Sequence, residues 1–228
     1  MSSDLAGISS MATRQILAEL AASFERQSGW RVAITSIGGV EAARRVRAGD
    51  PIDIVVLAAN VMEELEGSGY LIAGSRAGFA RSSIAIAVRA GEEPARIDGA
   101  EALKQAVLKA RKIAYSTGPS GDHLKRLFAL WGIADAISAR LVQAQPGIPV
   151  GSLLAKREAD LGFQQLSKLL HLPGIDIIGL LPPEIQNETV FSAAIASRSS
   201  KPDQARALIE FLASPDTAAT KRRHGLEP

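Results

Sequence analysis

The chain has 228 residues, of which 46% are hydrophobic and 22% charged, and its net charge is +2. This composition is typical of a globular protein with one large domain or two smaller lobes. The absence of cysteine excludes disulfides, thiolate catalysis and cysteine-ligated metals. Aromatic residues make up only 4%, and the basic residues are scattered, so we expect no nucleic-acid partner. The three histidines lack metal-ligand spacing: His123, His171 and His224.

The sequence also bears on membranes and on targeting. No apolar stretch approaches the roughly 18 residues of a membrane span. The N-terminal letters MSSDLAGISS have no basic region followed by an apolar one, so we expect no signal peptide in this sequence. A signal removed beforehand would make the protein periplasmic, and its absence would make it cytoplasmic. The compartment is therefore left open.

The N-terminal part repeats strand, loop and helix three times, with strands at residues 5–8, 30–34 and 52–57. The first strand stops at Ser9 and Ser10, and the second leads through Gly38 and Gly39 into a helix. The third is a nearly continuous apolar run, which is typical of a central parallel strand. This repetition predicts a parallel sheet, with ligands at the carboxyl ends of its strands.

The pattern becomes less regular beyond residue 70. Residues 70–79 look irregular, and Arg81 then precedes a predicted strand at 82–88. A predicted strand at 159–163 ends in the unusual pair Gln164 and Gln165. Further elements are predicted as a helix at about 100–110, strands at 141–142, 175–180 and 188–196, a helix from Pro149, and a last helix carrying Ala205 to Leu212.

The stretch from Ile113 to Phe128, IAYSTGPSGDHLKRLF, is the strongest candidate for a binding motif. A strand end is followed by a loop of serines, threonine and glycines, and then by residues at helical spacing. The first N–H groups of a helix are unpaired and its dipole favours negative charge, so this layout suits an anion. Ser116, Thr117 and Ser120 would add hydroxyl donors. The alternative is an ordinary loop with an N-cap serine.

The element order predicts an α/β protein of two lobes. Strands at about 82–89 and 188–197 lack an immediate helix and would cross between the lobes. Lobe 1 would then comprise residues 1–82 and 190–228, with the C-terminal helix packed back on it, and lobe 2 residues 83–189. A cleft between the lobes, lined by strand ends, is the expected ligand site.

The order and spacing of five segments resemble the type 2 periplasmic solute-binding proteins, most of all the molybdate-binding proteins of ABC transporters. The segments are ISSMATRQILAELAASFERQSG, GGVEAARRVRAGDPIDIVVLA, ARSSIAIAVRAG, PVGSLLAKREADLGFQQLSKLL and the closing HGLEP. The resemblance implies two Rossmann-like α/β lobes, two crossover strands and a hinge that closes on a small anion. On the molybdate-binding pattern, the matching positions are Ser10, the Gly38–Gly39 turn, Ser120, Val150 and Gln165.

Two departures from that pattern concern the ligand. Ile37, Gly38 and Gly39 stand where molybdate binders have serines, and Gln165 stands where they have a tyrosine. An amide pair, with Arg81 as a fork for carboxylate oxygens, suits a planar carboxylate better than a tetrahedral oxyanion. The plainer interpretations are a solvated Arg81 and a polar strand end at Gln164 and Gln165.

We therefore predict a solute-binding protein that captures a small anion, either a molybdate-like oxyanion or a small carboxylate, for ABC-type uptake. We expect a monomer without cofactor or metal, whose partners are the anion and an ABC permease. The predicted ligand-binding residues are Ser9, Ser10, Gly38, Gly39, Arg81, Ser82, Ser120, Gly121, Val150, Gln164 and Gln165.

Two other function classes stay open. One is a cofactor-independent isomerase of a small polycarboxylate, since aconitate isomerase resembles the molybdate-binding proteins. In that case His123 would be the base, because it lies in the first turn after the key loop and histidine is the side chain suited to proton transfer near neutral pH. Arg81 would be the second catalytic residue. The other is the sensing domain of a transcription regulator, for which we find no helix-turn-helix.

Overall fold

The structure is a computed structural model that describes residues 4–228, so the first three residues of predicted lobe 1 and of the N-terminal letters lie outside it. The strands, numbered in chain order, are β1 Leu5–Ser10, β2 Val32–Ile37, β3 Ile54–Ala58, β4 Ala77–Ser82, β5 Ile84–Arg89, β6 Ile113–Tyr115, β7 Leu141–Gln143, β8 Leu161–Gln165, β9 Ile175–Leu180 and β10 Thr189–Ile195. The helices are α1 Arg14–Ser28, α2 Gly39–Ala48, α3 Ala59–Gly67, α4 Ala100–Lys109, α5 Pro119–Leu130, α6 Ala134–Ile137, α7 Val150–Ala155, α8 Leu166–Leu169, α9 Pro202–Ala213 and α10 Ala218–Arg223.

The chain forms two compact units. Unit 1 comprises the described residues up to Ser82 together with Val190–Pro228, and unit 2 comprises Ser83–Thr189. Each hydrophobic core lies within a single unit, two cores in each. The chain thus leaves unit 1 after β4 and returns to it at the start of β10.

The sheet of unit 1 has the order β2-β1-β3-β10-β4. β1 runs parallel to β2 and to β3, whereas β10 is antiparallel to β3. Successive residues of β3 belong to different cores, because Ile54 and Val56 pack on one face of the sheet and Val55 and Leu57 on the other. Burial on both faces explains why this strand is apolar throughout.

The sheet of unit 2 has the order β7-β6-β8-β5-β9. β6 is parallel to both β7 and β8, and β5 is antiparallel to β8 and β9. One core contains Phe128 from α5 and Phe163 from β8, with ring centroids 6.4 Å apart. The second core, on the other side of β8, contains Val150 and Leu154 of α7. Both sheets are therefore mixed and flanked by helices, which confirms the predicted α/β class.

The three N-terminal strands are parallel to one another, as predicted, and β10 adds to the same sheet antiparallel beside β3. Two local predictions were wrong. Residues 70–79 are not irregular throughout, since β4 begins at Ala77. The strand predicted at 82–88 is divided at Ser83 into the end of β4 and the start of β5. Hydrophobic alternation identifies a strand but not its partner, so sequence could not place these pairings.

No helix within residues 4–228 combines the length and the apolar character needed to cross a bilayer.

Candidate functional site

Three buried polar side chains of unit 2 form a hydrogen-bonded chain, which we call the serine–glutamine cluster: Ser116, Ser120 and Gln165. Ser116 Oγ and Ser120 Oγ are 2.8 Å apart, and Ser120 Oγ donates to Gln165 Oε1 at 3.3 Å. Since Ser120 donates its proton to Gln165, Ser116 must donate to Ser120. All three side chains are less than 4% exposed.

The amide nitrogen of Gln165 is the unsatisfied end of this cluster. Its oxygen already accepts from Ser120, and no acceptor for its two N–H groups is found in the part of the chain that the structure describes. The nitrogen is not one of the fully buried atoms without a partner, so it keeps some contact with solvent, from which a ligand could reach it. The serine–glutamine cluster contains no ionisable group. The N–H groups of Gln165 are therefore neutral hydrogen-bond donors for a ligand.

The loop before α5 positions these serines. Gly118 is the N-cap of α5 at φ +88°, a conformation that favours glycine, and Pro119 occupies the first helical turn. A Cβ atom on Gly121 would lie 1.8 Å from the Ser116 carbonyl oxygen, so only glycine allows α5 to approach β6 this closely. The approach brings Ser120 onto Ser116. Ser120 is thus not the N-cap of α5, and the capping alternative does not apply to it.

Gln164 points to the other face of β8 and performs a structural task. Its Oε1 accepts from the Val150 backbone N–H at 3.0 Å, which joins the start of α7 to β8. The predicted residue Val150 therefore donates its N–H to Gln164 within the protein. Both residues are buried.

Unit 1 has a second pair of serines at parallel strand ends. Ser9 and Ser36 are directly opposite in the β1–β2 register, and their Oγ atoms are 2.7 Å apart. Ser10 Oγ accepts from Ala12 N at 3.2 Å and its carbonyl accepts from Thr13 Oγ1 at 3.0 Å. Ser10 thus caps the short 3₁₀ turn that precedes α1, as the capping interpretation expects.

Gly38 and Gly39 begin α2 without any side-chain cap. A Cβ atom at either position would meet nothing within 4 Å, so close packing does not require glycine here. The adjacent Val40 is 82% exposed. The first turn of α2 therefore begins at two glycines without a side-chain cap.

The sequence of this chain matches a known protein family over nearly its whole length. Residues 5–227 match the family described as bacterial extracellular solute-binding protein. The chain belongs to this family. Its fold is that of the type 2 periplasmic binding proteins of the molybdate-binding kind, as the sequence predicted.

This solute-binding protein is similar to an aconitate isomerase from Pseudomonas sp, with 38% identity over 92% of this chain and 82% of that protein. It is also 27% identical to the molybdate-binding protein ModA from Azotobacter vinelandii, over 91% of this chain and 83% of that protein. The solved periplasmic molybdate-binding protein from Azotobacter vinelandii superposes with a TM-score of 0.82 at 23% identity, covering 98% of this chain and 99% of that one.

The predicted site residues of this solute-binding protein fall into separate groups. Contacts join Ser120 to Gln165 and Val150 to Gln164, and the backbone of Gly121 packs on Ser116. In unit 1 they join Ser9 to Ser36. Ser82 is fully buried at the end of β4.

Arg81 makes a different set of contacts. It is exposed, its Nε donates to the Pro228 carbonyl at 3.2 Å, and its backbone pairs with Glu227. The guanidinium therefore already contacts the C-terminal segment, a contact that no local sequence pattern predicts.

His123 lies on α5, where its Nε2 is 2.8 Å from the Ile185 carbonyl oxygen. A carbonyl can only accept, so Nε2 carries the proton and Nδ1 is the basic nitrogen of the neutral ring.

Sequence reasoning missed Ser36 and Lys168. A signal for Ser36 existed, because parallel pairing of two strands that both end in serine places those serines opposite each other. Lys168, on the short helix that follows Gln165, gave no sequence signal.

Proposed function

We propose that this protein binds a small carboxylate-bearing anion through the amide N–H groups of Gln165, supported by Ser116 and Ser120. The observation that carries the proposal is the Gln165 amide nitrogen, which belongs to a buried residue yet has no acceptor among residues 4–228 and keeps contact with solvent. The two N–H bonds of a primary amide diverge from one nitrogen, so each can donate to a separate acceptor oxygen, and a carboxylate oxygen of the anion is one such acceptor. The similarity to an aconitate isomerase supports the same ligand class.

The other predicted residues belong to the same proposal. In unit 1, Ser9, Ser10, Gly38, Gly39, Arg81 and Ser82 are proposed anion ligands, with the uncapped N–H groups at the start of α2 as the clearest donors. In unit 2, Gly121, Val150 and Gln164 are proposed to hold the cluster in place. Val150 gives its own N–H to Gln164 and so supports the site indirectly.

A thermal-shift screen with molybdate, tungstate, sulfate, phosphate, citrate and the two aconitate isomers tests the proposal. An anion at 100 times its dissociation constant stabilises the folded state by about 2.7 kcal/mol, which gives a measurable rise in melting temperature. We expect the rise with citrate or aconitate. A rise with molybdate or tungstate alone would contradict the carboxylate preference, and no rise with any anion would contradict anion binding.

Gln165→Leu is the matched variant, because leucine keeps the volume and removes both donors. The control is Gln145→Leu, which changes an exposed glutamine of the same unit. We expect the anion-induced shift to disappear only in Gln165→Leu. An equal shift in both variants would show that the Gln165 amide is not a ligand.

A second candidate is an isomerase that moves a proton beside a carboxylate, favoured by the 38% identity to an aconitate isomerase. His123 would use Nδ1 as the base, because its Nε2–H donates to Ile185. NMR of trans-aconitate with catalytic amounts of protein separates the two candidates: an isomerase converts many equivalents, whereas a binding protein converts none. Loss of conversion in His123→Gln, with binding retained, would assign the base.

If the protein is a binding protein, we propose that it acts as a monomer and delivers its anion to an ABC permease. Light scattering after size exclusion tests the monomer at 24.0 kDa. A mass of twice that value would contradict it.

A further inference from the structure

Lys168 is a cation for which the described part of the chain provides no counter-ion. No ion pair or hydrogen bond of its ammonium group is found among residues 4–228. The residue is half-buried. Burial lowers the pKa of Lys168 to about 8, and no charged neighbour contributes to that shift. A desolvated charge without a partner is costly, so its presence calls for a ligand of opposite sign.

The position of Lys168 relates it to the serine–glutamine cluster. Gln165 is the N-cap of α8 and Lys168 is its third helical residue. Residues three apart at a helix start lie on one face, so the Gln165 and Lys168 side chains leave α8 on the same side. The start of α8 is fixed because Leu166 N donates to Ser83 O at 2.9 Å, and Leu169 is buried in the core.

The elements packed against α8 provide no competing acid. α8 packs on β5 and β8. β8 has no titratable side chain, and the one charged residue of β5 is Arg89, at its far end and paired with Glu92. The first titratable residue after α8 is His171. Glu188 also lies near the start of α8, because its Oε1 accepts from Ser83 Oγ at 3.3 Å, but no charged group contributes to the pKa shift of Lys168. The uncompensated ammonium favours an anion over a metal ion.

We propose that Lys168 is an anion ligand, whose ammonium group binds the charge of the carboxylate that accepts from the Gln165 amide. This inference rests on the proposed function and adds to it the cation of the site. The neutral serine–glutamine cluster selects the shape of the ligand, and Lys168 selects its charge.

Lys168→Met separates this role from a structural one. Removing an uncompensated half-buried charge should raise the melting temperature of the ligand-free protein, whatever the role of the residue. As a ligand, Lys168 should in addition be needed for binding, so citrate, cis-aconitate or molybdate should bind the variant about 10- to 100-fold more weakly. Lys168→Arg should retain most of the affinity. The matched control is Lys156→Met, at an exposed lysine of the same unit.

The outcomes distinguish this inference from the proposed function. A ligand-free protein that is more stable in Lys168→Met, with anion-induced shifts equal to those of the unmodified protein, would overturn the role of Lys168 and leave anion binding intact. An unmodified protein that no anion stabilises would overturn both proposals. If Lys168→Met fails to fold, Lys168→Gln replaces it in the same comparison.

Discussion

At the residue scale, the contact between α5 and β6 depends on Gly121. Any side chain there would overlap the Ser116 carbonyl oxygen, a backbone atom that cannot move without shifting β6. The Ser116–Ser120 hydrogen bond exists because the helix comes this close. The geometry of the serine–glutamine cluster is therefore set by the absence of one methyl group.

Gly121→Ala should destabilise the protein. It should also weaken anion binding, although Gly121 has no side chain, because the added methyl group would displace the serine–glutamine cluster. Overpacking costs about 1–3 kcal/mol, and more where backbone must move. Urea denaturation measures the loss of stability. The control is Gly132→Ala, where a Cβ atom meets nothing within 4 Å but φ is +69°, so only backbone strain is added. Equal binding in Gly121→Ala and the unmodified protein would contradict this account of the cluster.

The charge of Lys168 should also appear in the pH dependence of stability. Its pKa is about 8 in the folded protein against an ordinary value of 10.5, so between these values the unfolded chain binds more protons. Stability relative to Lys168→Met should therefore rise from about pH 8 to pH 10.5, by about 1.4 kcal/mol for each unit of pKa difference. Urea denaturation of both proteins at pH 7, 8, 9 and 10 measures it. A constant difference across this range would show an unperturbed lysine.

At the element scale, α7 ends in a conformation that its sequence does not favour. Arg157 has φ +62°, and the bonds from Arg157 N to Leu154 O and from Glu158 N to Leu153 O form a Schellman motif. Glycine is the usual residue at this position.

Arg157→Gly should stabilise the protein by about 0.5–1 kcal/mol, because it relieves the left-handed strain without removing a contact. Lys156→Gly, one residue earlier at φ −83°, should instead destabilise it by a similar amount. Thermal denaturation measures both effects: the melting temperature should rise in Arg157→Gly and fall in Lys156→Gly. A loss of stability in Arg157→Gly would mean that the arginine side chain contributes more than the strain costs.

The same scale shows what sequence could predict. Long apolar patterns such as β3 and α9 gave their elements correctly, because burial on a regular face imposes a period on the residues. Short elements such as α6 and α8 have too few residues to show a period. Hydroxyl and amide residues at strand ends predicted Ser120 and Gln165 as a group, yet their mutual hydrogen bond depends on register and on the approach at Gly121. The contact of Arg81 with Pro228 joins residues far apart in sequence, and no local pattern encodes it.

At the scale of the whole molecule, unit 2 is continuous and unit 1 is not. Both cores of unit 2 are formed from residues within Ser83–Thr189. In unit 1, the core that contains Leu5 also contains Leu208 of α9. The two units should therefore respond differently to truncation.

Residues 83–189 expressed alone should unfold cooperatively in urea, because no core residue is missing. Residues 4–82 alone should not, since they lack β10 and α9. The matched point variant is Leu208→Ala in the full chain, which should cost unit 1 about 2–5 kcal/mol by opening a cavity. Far-ultraviolet circular dichroism during urea denaturation measures the unfolding of the two fragments and of the Leu208→Ala variant. A non-cooperative 83–189 fragment would show that unit 2 needs unit 1 to fold.

The central place of β10 in the first sheet has a consequence for synthesis on the ribosome. β3 emerges early, yet the strand that covers its free edge is more than a hundred residues away and emerges only after all of unit 2. Domains generally fold as they appear, N-terminal first. In this chain the order is inverted, because unit 2, the middle of the sequence, can fold before unit 1 is complete. Until β10 is synthesised, the apolar strand β3 has one unpaired edge. Such an edge is a template for aggregation, so the time between β3 and β10 is the interval in which a nascent chain most needs a chaperone.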